Sequence, residues 1–582
     1  MADRPWLESY PEDIPHSLAP FPEKSLYSLL EESARRFPEA PAIAFWLPGA
    51  PVGKRLTYRE LAKQVDQFGR VLISLGVQRG DRVGLVLPNC PQYVIGYYAA
   101  LRIGAVVVGN NPLYTERELS HQLKDAGIEV CVVLDVLYPK VGAVRDEVGL
   151  REAIVTKVTD YAPFPVNLLA GRRLKKHALA AGEPWPPVPP DAKVRWWKEV
   201  MAGSYPAAPP AEVDARNDLA GLIYTGGTTG LSKGAMLSHF NLVSNVLQST
   251  AWFPDLQDGR EGIMCIIPFF HSFGMTVAMN IGVYRAAKLV LMPQFQLEPT
   301  LKAVQKEKPT MFPGVPRLYI AVNEGKETGK YDLRSLTACL SGAASLPLAV
   351  AEKFEQITGA TIVEGYGLTE TSPVTHANPI HGKRKAGSIG LPIPDTDCKI
   401  VDLEDWTKEM PQGEQGELII SGPQVMQGYF NRPEETANMI KTDPEGRRWL
   451  LTGDIARMDE QGYFSIIDRK KDMIIVSGFN VYPTDIEQVL YRHPKVEKCV
   501  VVGLPDAKTG EAVKAYVILK QGATATSQEI REFLKDPKFG LAGYRVPKLV
   551  EFRDSLPETL VGKVLRRVLQ EEERQKAAAS DS

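Results

Sequence analysis

A chain of 582 residues is too long for one ordinary core, so two to four domains are expected. Hydrophobic residues at 44% and charged residues at 24% match a soluble globular protein, and a formal net charge of −2 gives nucleic acid no hold as the main partner. The six cysteines stand singly, without a CxxC pair or a His at ligand spacing, which excludes disulfide and zinc scaffolds in favour of buried thiols in a reducing cytoplasm. The start, "MADRPWLESYPEDIPHSL", has neither a basic nor an apolar region, so no signal peptide and a cytoplasmic location are expected.

Taken in chain order, "RVGLVL" (82–87) reads as a strand and "PQYVIGYYAALRIG" (91–104) as a helix opened by proline. "AVVVGNN" is a strand, and "TERELSHQLKDAG" is a helix capped by Thr115 with Glu118 three residues on, a capping box. "EVCVVLD" is the next strand, completing the βαβ rhythm of a parallel α/β sheet. Residues 159–215 interrupt it with proline-rich surface loop. Within that insert, "FPVNLLAGRRLKKHAL" mixes apolar residues with Arg172, Arg173, Lys175 and Lys176. It reads either as a solvated surface helix or as a basic helix resting on an anionic membrane.

The α/β rhythm returns from Asp218 to about Tyr366, opening on the buried strand "DLAGLI". The uncharged run 262–284 is long enough to span a bilayer. Pro268, His271 and Asn280 inside it favour a strand, a loop and a buried helix. From Gly387 the pattern turns to short strands with Gly and Pro turns, a β-rich subdomain over about 387–468. The last stretch reads as a small α+β domain over 472–575 with a frayed tail at 576–582. Its strands are "DMIIVSG", "KCVVVGL", "AVKAYVILK" and "KLVEFRD", and its helices "PTDIEQVLYRH" and "TSQEIREFLK".

The most informative segment is "YTGGTTGLSKGAMLSH" (224–239), which packs four glycines, three threonines, two serines and a lysine into sixteen residues. A Walker loop needs Lys directly after its last Gly. Here Leu231 and Ser232 separate Gly230 from Lys233, so the Walker A class is excluded. The phosphate chemistry remains available. Gly226, Gly227 and Gly230 let backbone N–H groups turn inward, Thr225, Thr228, Thr229 and Ser232 add hydroxyls, and Lys233 adds charge. "GAMLSHFNLVSNVLQ" is expected to run straight on into an amphipathic helix, unlike a flexible linker.

This segment closely resembles the phosphate-binding signature of the adenylate-forming superfamily of acyl-CoA synthetases, luciferases and peptide-synthetase adenylation domains. Further motifs follow in the family's order: "PFFHSFG" (268–274), "SGAASLP" (341–347), "EGYGLTET" (364–371), "LTGDIA" (451–456), "IDRKKDMIIVSGFNVYPTDIE" (467–487) and "LPETLVGKVLRR" (556–567). The resemblance covers nearly the whole chain. "GPQVMQGYFNRPEET" and "YRVPKLVEFRDSLPETLVGKVLRR" look most like bacterial long-chain fatty acyl-CoA synthetases.

The resemblance implies an α/β fold with a large N-terminal domain (1–468), a hinge at 469–471 and a small mobile α+β C-terminal lid. It also implies a reaction in two steps. A carboxylate and ATP give acyl-AMP and pyrophosphate; the thiol of coenzyme A then takes the acyl group and AMP leaves. Two anions meet in the first step, so cations and oriented donors are needed.

By resemblance, Glu370 coordinates Mg²⁺, with Thr225 a second metal or phosphate contact, and Thr369 reaches the α-phosphate. Tyr366 lies against adenine within "EGYG", Glu364, Gly365 and Gly367 completing that turn. Ala343 and Ala344 form the other side of the base pocket, where the family pattern is often Gly-rich. Tyr224 opens the phosphate loop. Asp454 accepts both ribose hydroxyls, as the two oxygens of a carboxylate can, and Arg469 is its partner. Lys563 bridges carboxylate and α-phosphate by charge rather than proton transfer. The "ETLV" before it departs from the small polar residues often found there. His271 sits beside the carboxylate pocket as a positional or gating residue rather than a general base. Lys471 is the pivot, and Gly478 lines the pantetheine tunnel or simply serves a β-turn. Expected partners are fatty acid, ATP and CoA, with peripheral contact to the inner membrane face and a homodimer through the N-terminal domain as further expectations. Readings left open are an aryl- or short-chain-acid CoA ligase, a stand-alone fatty acyl-AMP ligase loading a carrier protein, and an inactive paralogue.

Overall fold

The computed structural model describes residues 4–47, 55–162, 192–225, 232–506, 508–559 and 564–580, with several residues between 172 and 190; side chains are described through Lys576. The chain forms two compact units. The first comprises Met1–Asp397 and Ser421–Leu450, and the second Cys398–Ile420 and Leu451–Ser582.

The first unit is built on an eight-stranded sheet. Its order is Gly428–Tyr429, Lys233–Ser238, Leu219–Thr225, Val106–Gly109, Arg82–Val86, Val130–Leu134, Glu152–Thr156 and Arg195–Trp196. The last six strands run parallel and the first two antiparallel. "VVVG" and "VCVVL" are buried at every position, as expected of strands covered on both faces. The helix Pro91–Arg102 is buried along its whole length, so it fills a layer rather than bordering solvent. Thr115 and Glu118 form the capping box at the start of Glu116–Asp125. The uncharged run resolves into the strand Gly262–Cys265, a loop, a π-helical stretch Gly274–Asn280 and the helix Ile281–Tyr284. No helix among the described residues is long and apolar enough to cross a membrane.

Three expectations need correction. The segment after the phosphate loop does not enter a helix directly. Lys233–Ser238 first returns as a strand antiparallel to Leu219–Thr225, and only then does His239–Ala251 begin, capped by Ser238 and Asn241. The loop residues therefore connect two antiparallel strands. That helix is also buried nearly all round rather than amphipathic. Next, the proline-rich insert is not all loop. Arg195–Trp196 adds an edge strand beside Glu152–Thr156, and Trp197 anchors the short helix Trp197–Ala202 against Phe68. Arg172, Lys175 and Lys176 are helical and exposed, while Arg173 lies outside the described residues. Finally, the tail expected to fray is helical, Arg566–Ser580. Lys576 pairs with Glu573 at 2.7 Å and with Glu551 at 3.5 Å.

In the second unit, the Asp454–Met458 part of the strand Arg448–Met458 pairs antiparallel with Phe464–Arg469, which sets Asp454 opposite Arg469. A further sheet orders Phe479–Val481, Ile474–Val476, Gly510–Leu519 and Val496–Asp506, with Leu549–Phe552 parallel to Gly510–Leu519. Alternation sends Cys499 and Val501 to one face, against the helices Pro483–Leu490 and Ser527–Leu534. It sends Val500, Val502 and Tyr516 to the other, where Leu569 of the last helix covers them.

Candidate active site

In the first unit the strand Thr361–Gly367 delivers "EGYG" and a single 3₁₀ turn, Thr369–Thr371, follows. The strand closes tightly on its neighbour. A Cβ on Gly367 would meet the Pro373 carbonyl oxygen at 1.9 Å, so only glycine fits. Tyr366 is half-buried, its ring edge-on to His376 at 5.8 Å. His376 is fully buried and its pKa falls to about 3, since desolvation penalises the imidazolium. A neutral ring thus braces the aromatic expected at adenine. The Glu364 carboxyl is pushed up to about 7 by burial, which the Leu346 N–H only partly opposes.

Ala343 and Ala344 are both exposed, and Ala343 holds φ 68°, the left-handed region. This is the position where the resemblance favours glycine; alanine accepts the strain with the smallest possible side chain. Thr369 shares a hydrogen bond with Ser272 at 3.3 Å, which joins the "GLTE" turn to the "PFFHSFG" loop. In that loop His271 Nδ1 accepts the Phe273 N–H at 3.2 Å. A neutral His271 therefore carries its proton on Nε2.

Glu370 is 9% exposed, and its Oε1 accepts the Tyr429 hydroxyl at 2.6 Å. Burial and the neighbouring Glu370 charge drive the Tyr429 phenol far above its usual pKa, so it remains a donor. Lys233 lies over the Tyr429 ring, 5.4 Å from its centroid, and 3.6 Å from Glu435. Tyr224 turns its hydroxyl to Asp125 at 2.7 Å, and Asp125 also receives Arg432 at 3.1 Å. Ser232 offers its carbonyl to His121 at 3.0 Å. Both feet of the phosphate loop are thus tied to the helix Glu116–Asp125. Thr225 is half-buried at the hairpin's last described position; Gly226, Gly227, Thr228, Thr229 and Gly230 lie outside the described residues.

In the second unit Asp454 is 3% exposed and Arg469 Nε stands 3.3 Å from its Oδ1. Its backbone N–H donates to Thr452 Oγ1 at 3.1 Å. Lys471 is exposed, next to Lys470, which is pinned to Glu417 at 3.2 Å. Ser477 and Gly478 form a two-residue turn between Ile474–Val476 and Phe479–Val481, with φ of 51° and 84°. Two positive φ values are what a tight hairpin demands, so Gly478 meets the β-turn reading. Lys563 lies outside the described residues. On either side of it, Glu558 and Val564 form an antiparallel bridge, and Leu565 N–H donates to Pro557 O at 2.8 Å. Beyond it, Arg566 grips both oxygens of Glu487 at 2.8 Å and reaches Asp472 at 3.2 Å.

Sequence reasoning missed Tyr429, Asp125, Ser272, His376 and Arg566 as supporting residues. Ser272, Tyr429 and Arg566 lie inside the family's motifs, but nothing local told which distant group each would meet.

A cation fits the first unit only in part from protein groups. Among the described residues no cluster of three His, Cys, Asp or Glu side chains is placed to hold a metal. The buried Glu370 carboxylate, near a loop suited to phosphates, matches the habit of Mg²⁺, which takes one or two carboxylates and fills its shell with phosphate oxygens and water.

Comparison with known proteins agrees with the motif order. Residues 30–430 match the model of the AMP-binding enzyme family, and residues 485–563 match its C-terminal domain. A long-chain-fatty-acid–CoA ligase of Bacillus subtilis is 45% identical over 572 residues, covering 98% of each chain. One of Escherichia coli O6:H1 is 38% identical over 582 residues, again with 98% of each chain. ATP-bound MatB from Rhodopseudomonas palustris superposes with a TM-score of 0.79 at 29% identity, over 95% of this chain and 99% of that one. A fatty acyl CoA synthetase of Mycobacterium tuberculosis gives 0.69 at 28% identity, over 94% and 98%. With both domain models matched in order across one mixed α/β chain, the protein belongs to the AMP-binding enzyme family.

Proposed function

We propose that the chain is an ATP- and CoA-dependent ligase that activates a medium-to-long-chain fatty acid through acyl-AMP to acyl-CoA, releasing AMP and pyrophosphate. The observation that carries this reading is the near full-length similarity to curated long-chain-fatty-acid–CoA ligases.

In the first step a carboxylate oxygen attacks the α-phosphorus and pyrophosphate leaves. Tyr366 packs against adenine, with the Ala343–Ala344 turn opposite. Asp454 accepts the ribose diol while Arg469 holds its orientation. The hairpin loop takes the β- and γ-phosphates, and Lys233 stabilises the charge that departs with them. His271 Nε2–H orients the carboxylate; an ionised acid needs no base. Thr369 contacts the α-phosphate, and Lys563 neutralises charge between the two reacting anions. Mg²⁺, when bound at Glu370 and Thr225, would shield phosphate charge. In the second step the CoA thiol takes the acyl carbon and AMP is the leaving group. Lys471 is the pivot for the change between steps.

A thioester assay with fatty acids from short to long, followed through CoA consumption and pyrophosphate release, tests the reading. Turnover rising toward medium and long chains is expected. Turnover only with aryl or short acids would replace it with the alternative ligase, and acyl-AMP without thioester would favour an acyl-AMP ligase. The exposed Arg172, Lys175 and Lys176 serve as a contact for an anionic membrane surface. Flotation with anionic vesicles at low salt reads this directly, and absence of binding removes it. A homodimer is also part of the proposal, checked by sedimentation.

A further inference from the structure

We propose that Tyr429 is a positioning residue for the adenylation step, setting Glu370 through its hydroxyl and Lys233 through its ring. The inference rests on the functional reading above, which places those two groups at the metal and at the leaving pyrophosphate.

Tyr429 sits on the short strand Gly428–Tyr429, paired antiparallel with the strand that starts at Lys233; Tyr429 is opposite Ala235. Its backbone is fixed from the other side, because its N–H donates to Thr436 Oγ1 at 2.8 Å and Thr436 in turn donates to the Arg432 carbonyl at 2.8 Å. The ring is 6% exposed. From this locked base the hydroxyl reaches Glu370 Oε1 at 2.6 Å, across 59 residues of sequence. The ring face lies 5.4 Å from Lys233 Nζ, whose other neighbour is Glu435 at 3.6 Å.

A phenylalanine would fill the same volume and keep the same strand pairing, so the hydroxyl is not demanded by packing. It is demanded by Glu370. A buried carboxylate is costly unless a donor meets it, and the donor that meets it also fixes its direction. The Met426 N–H holds the Glu370 backbone carbonyl at 2.8 Å, so main chain and side chain of Glu370 are both anchored by the 426–429 segment. One aromatic residue thus presets a carboxylate and an ammonium group that would face the same triphosphate, before the nucleotide arrives.

The test compares Tyr429→Phe with the wild type in three readouts: calorimetric binding of a non-hydrolysable ATP analogue with Mg²⁺, ATP–pyrophosphate exchange, and thioester formation from supplied acyl-AMP. Loss of one charge-assisted hydrogen bond predicts nucleotide affinity and exchange down by about tenfold or more, with the acyl-AMP reaction within about twofold of wild type. Tyr429→Leu, which also strips the ring from Lys233, is expected to weaken exchange further. Unchanged binding and exchange in Tyr429→Phe would overturn the proposal. So would an equal loss in all three readouts, which marks a merely structural tyrosine. If the wild type forms no fatty acyl thioester, the functional reading fails, while the binding comparison still reports on Tyr429.

Discussion

At the scale of single residues, Glu364 couples the site to pH. Burial lifts its folded pKa to about 7, above the usual 4.5, so the folded state holds the proton more tightly than the unfolded chain. The stabilisation is complete below about pH 4.5 and is lost as pH rises through about 7. A shift of this size corresponds to roughly 3 kcal/mol. Glu364→Gln, which keeps the shape without the titration, should therefore raise thermal stability relative to wild type at pH 8 and give little advantage at pH 4.5. Parallel melting curves across that range check it; a constant difference would show that Glu364 does not titrate there. Ala343 illustrates what a residue pattern can and cannot say. The resemblance suggests it for the base pocket, but only the backbone shows that it bears a left-handed φ of 68°.

At the scale of elements, the central revision concerns the phosphate loop. A loop followed by amphipathic sequence suggests a helix N-terminus as anion site. The segment instead joins the antiparallel strands Leu219–Thr225 and Lys233–Ser238, and the helix His239–Ala251 begins only after the second of them. "KGAMLS" is short, and its mixed burial gives no clear periodicity, so antiparallel return could not be told from the start of a helix. The last helix shows the same limit. "EEERQKAAAS" is charged enough to read as frayed, yet Lys514, only 7% exposed at its side chain, pairs with Glu551 at 2.6 Å and Glu573 at 2.8 Å. At the helix start, Arg566, its side chain 20% exposed, pairs with Glu487, whose pKa is raised by burial in spite of that partner. Arg566→Met should destabilise the second unit by about 3–5 kcal/mol, because it strands Glu487 in low dielectric. The double variant Arg566→Met/Glu487→Leu should recover much of that loss. Differential scanning calorimetry of the full chain distinguishes the two; equal destabilisation by single and double variants would show that the ion pair itself carries the stability.

At the scale of the whole molecule, two reactions share one set of motifs and need separable residues. On the proposed reading, Lys563→Ala loses acyl-AMP formation by a factor of about a hundred or more, the worth of a few kcal/mol of transition-state charge stabilisation, and retains thioester formation from supplied acyl-AMP. Lys471→Pro should do the reverse, keeping ATP–pyrophosphate exchange and losing CoA transfer, because proline fixes φ at the pivot. Equal loss of both half-reactions in either variant would remove that residue from its assigned role. Lys471 is exposed, outside the hydrophobic core.

The amino-acid sequence alone determined the family, the two-step chemistry it implies, the α/β class and most elements of the parallel sheet. These rest on signals that are local: motif spacing, alternation in strands, caps and turn residues. The pairing of Asp454 with Arg469, proposed for the ribose, was legible too, because each residue carries a motif and the two lie on adjacent strands. Only the tertiary structure decided that Lys233–Ser238 returns as a strand antiparallel to Leu219–Thr225, that Tyr429 holds Glu370, and that Arg566 finds Glu487 across 79 residues. The physical reason is that buried charge must be met by some partner, and the sequence shows the charge while the fold selects the partner.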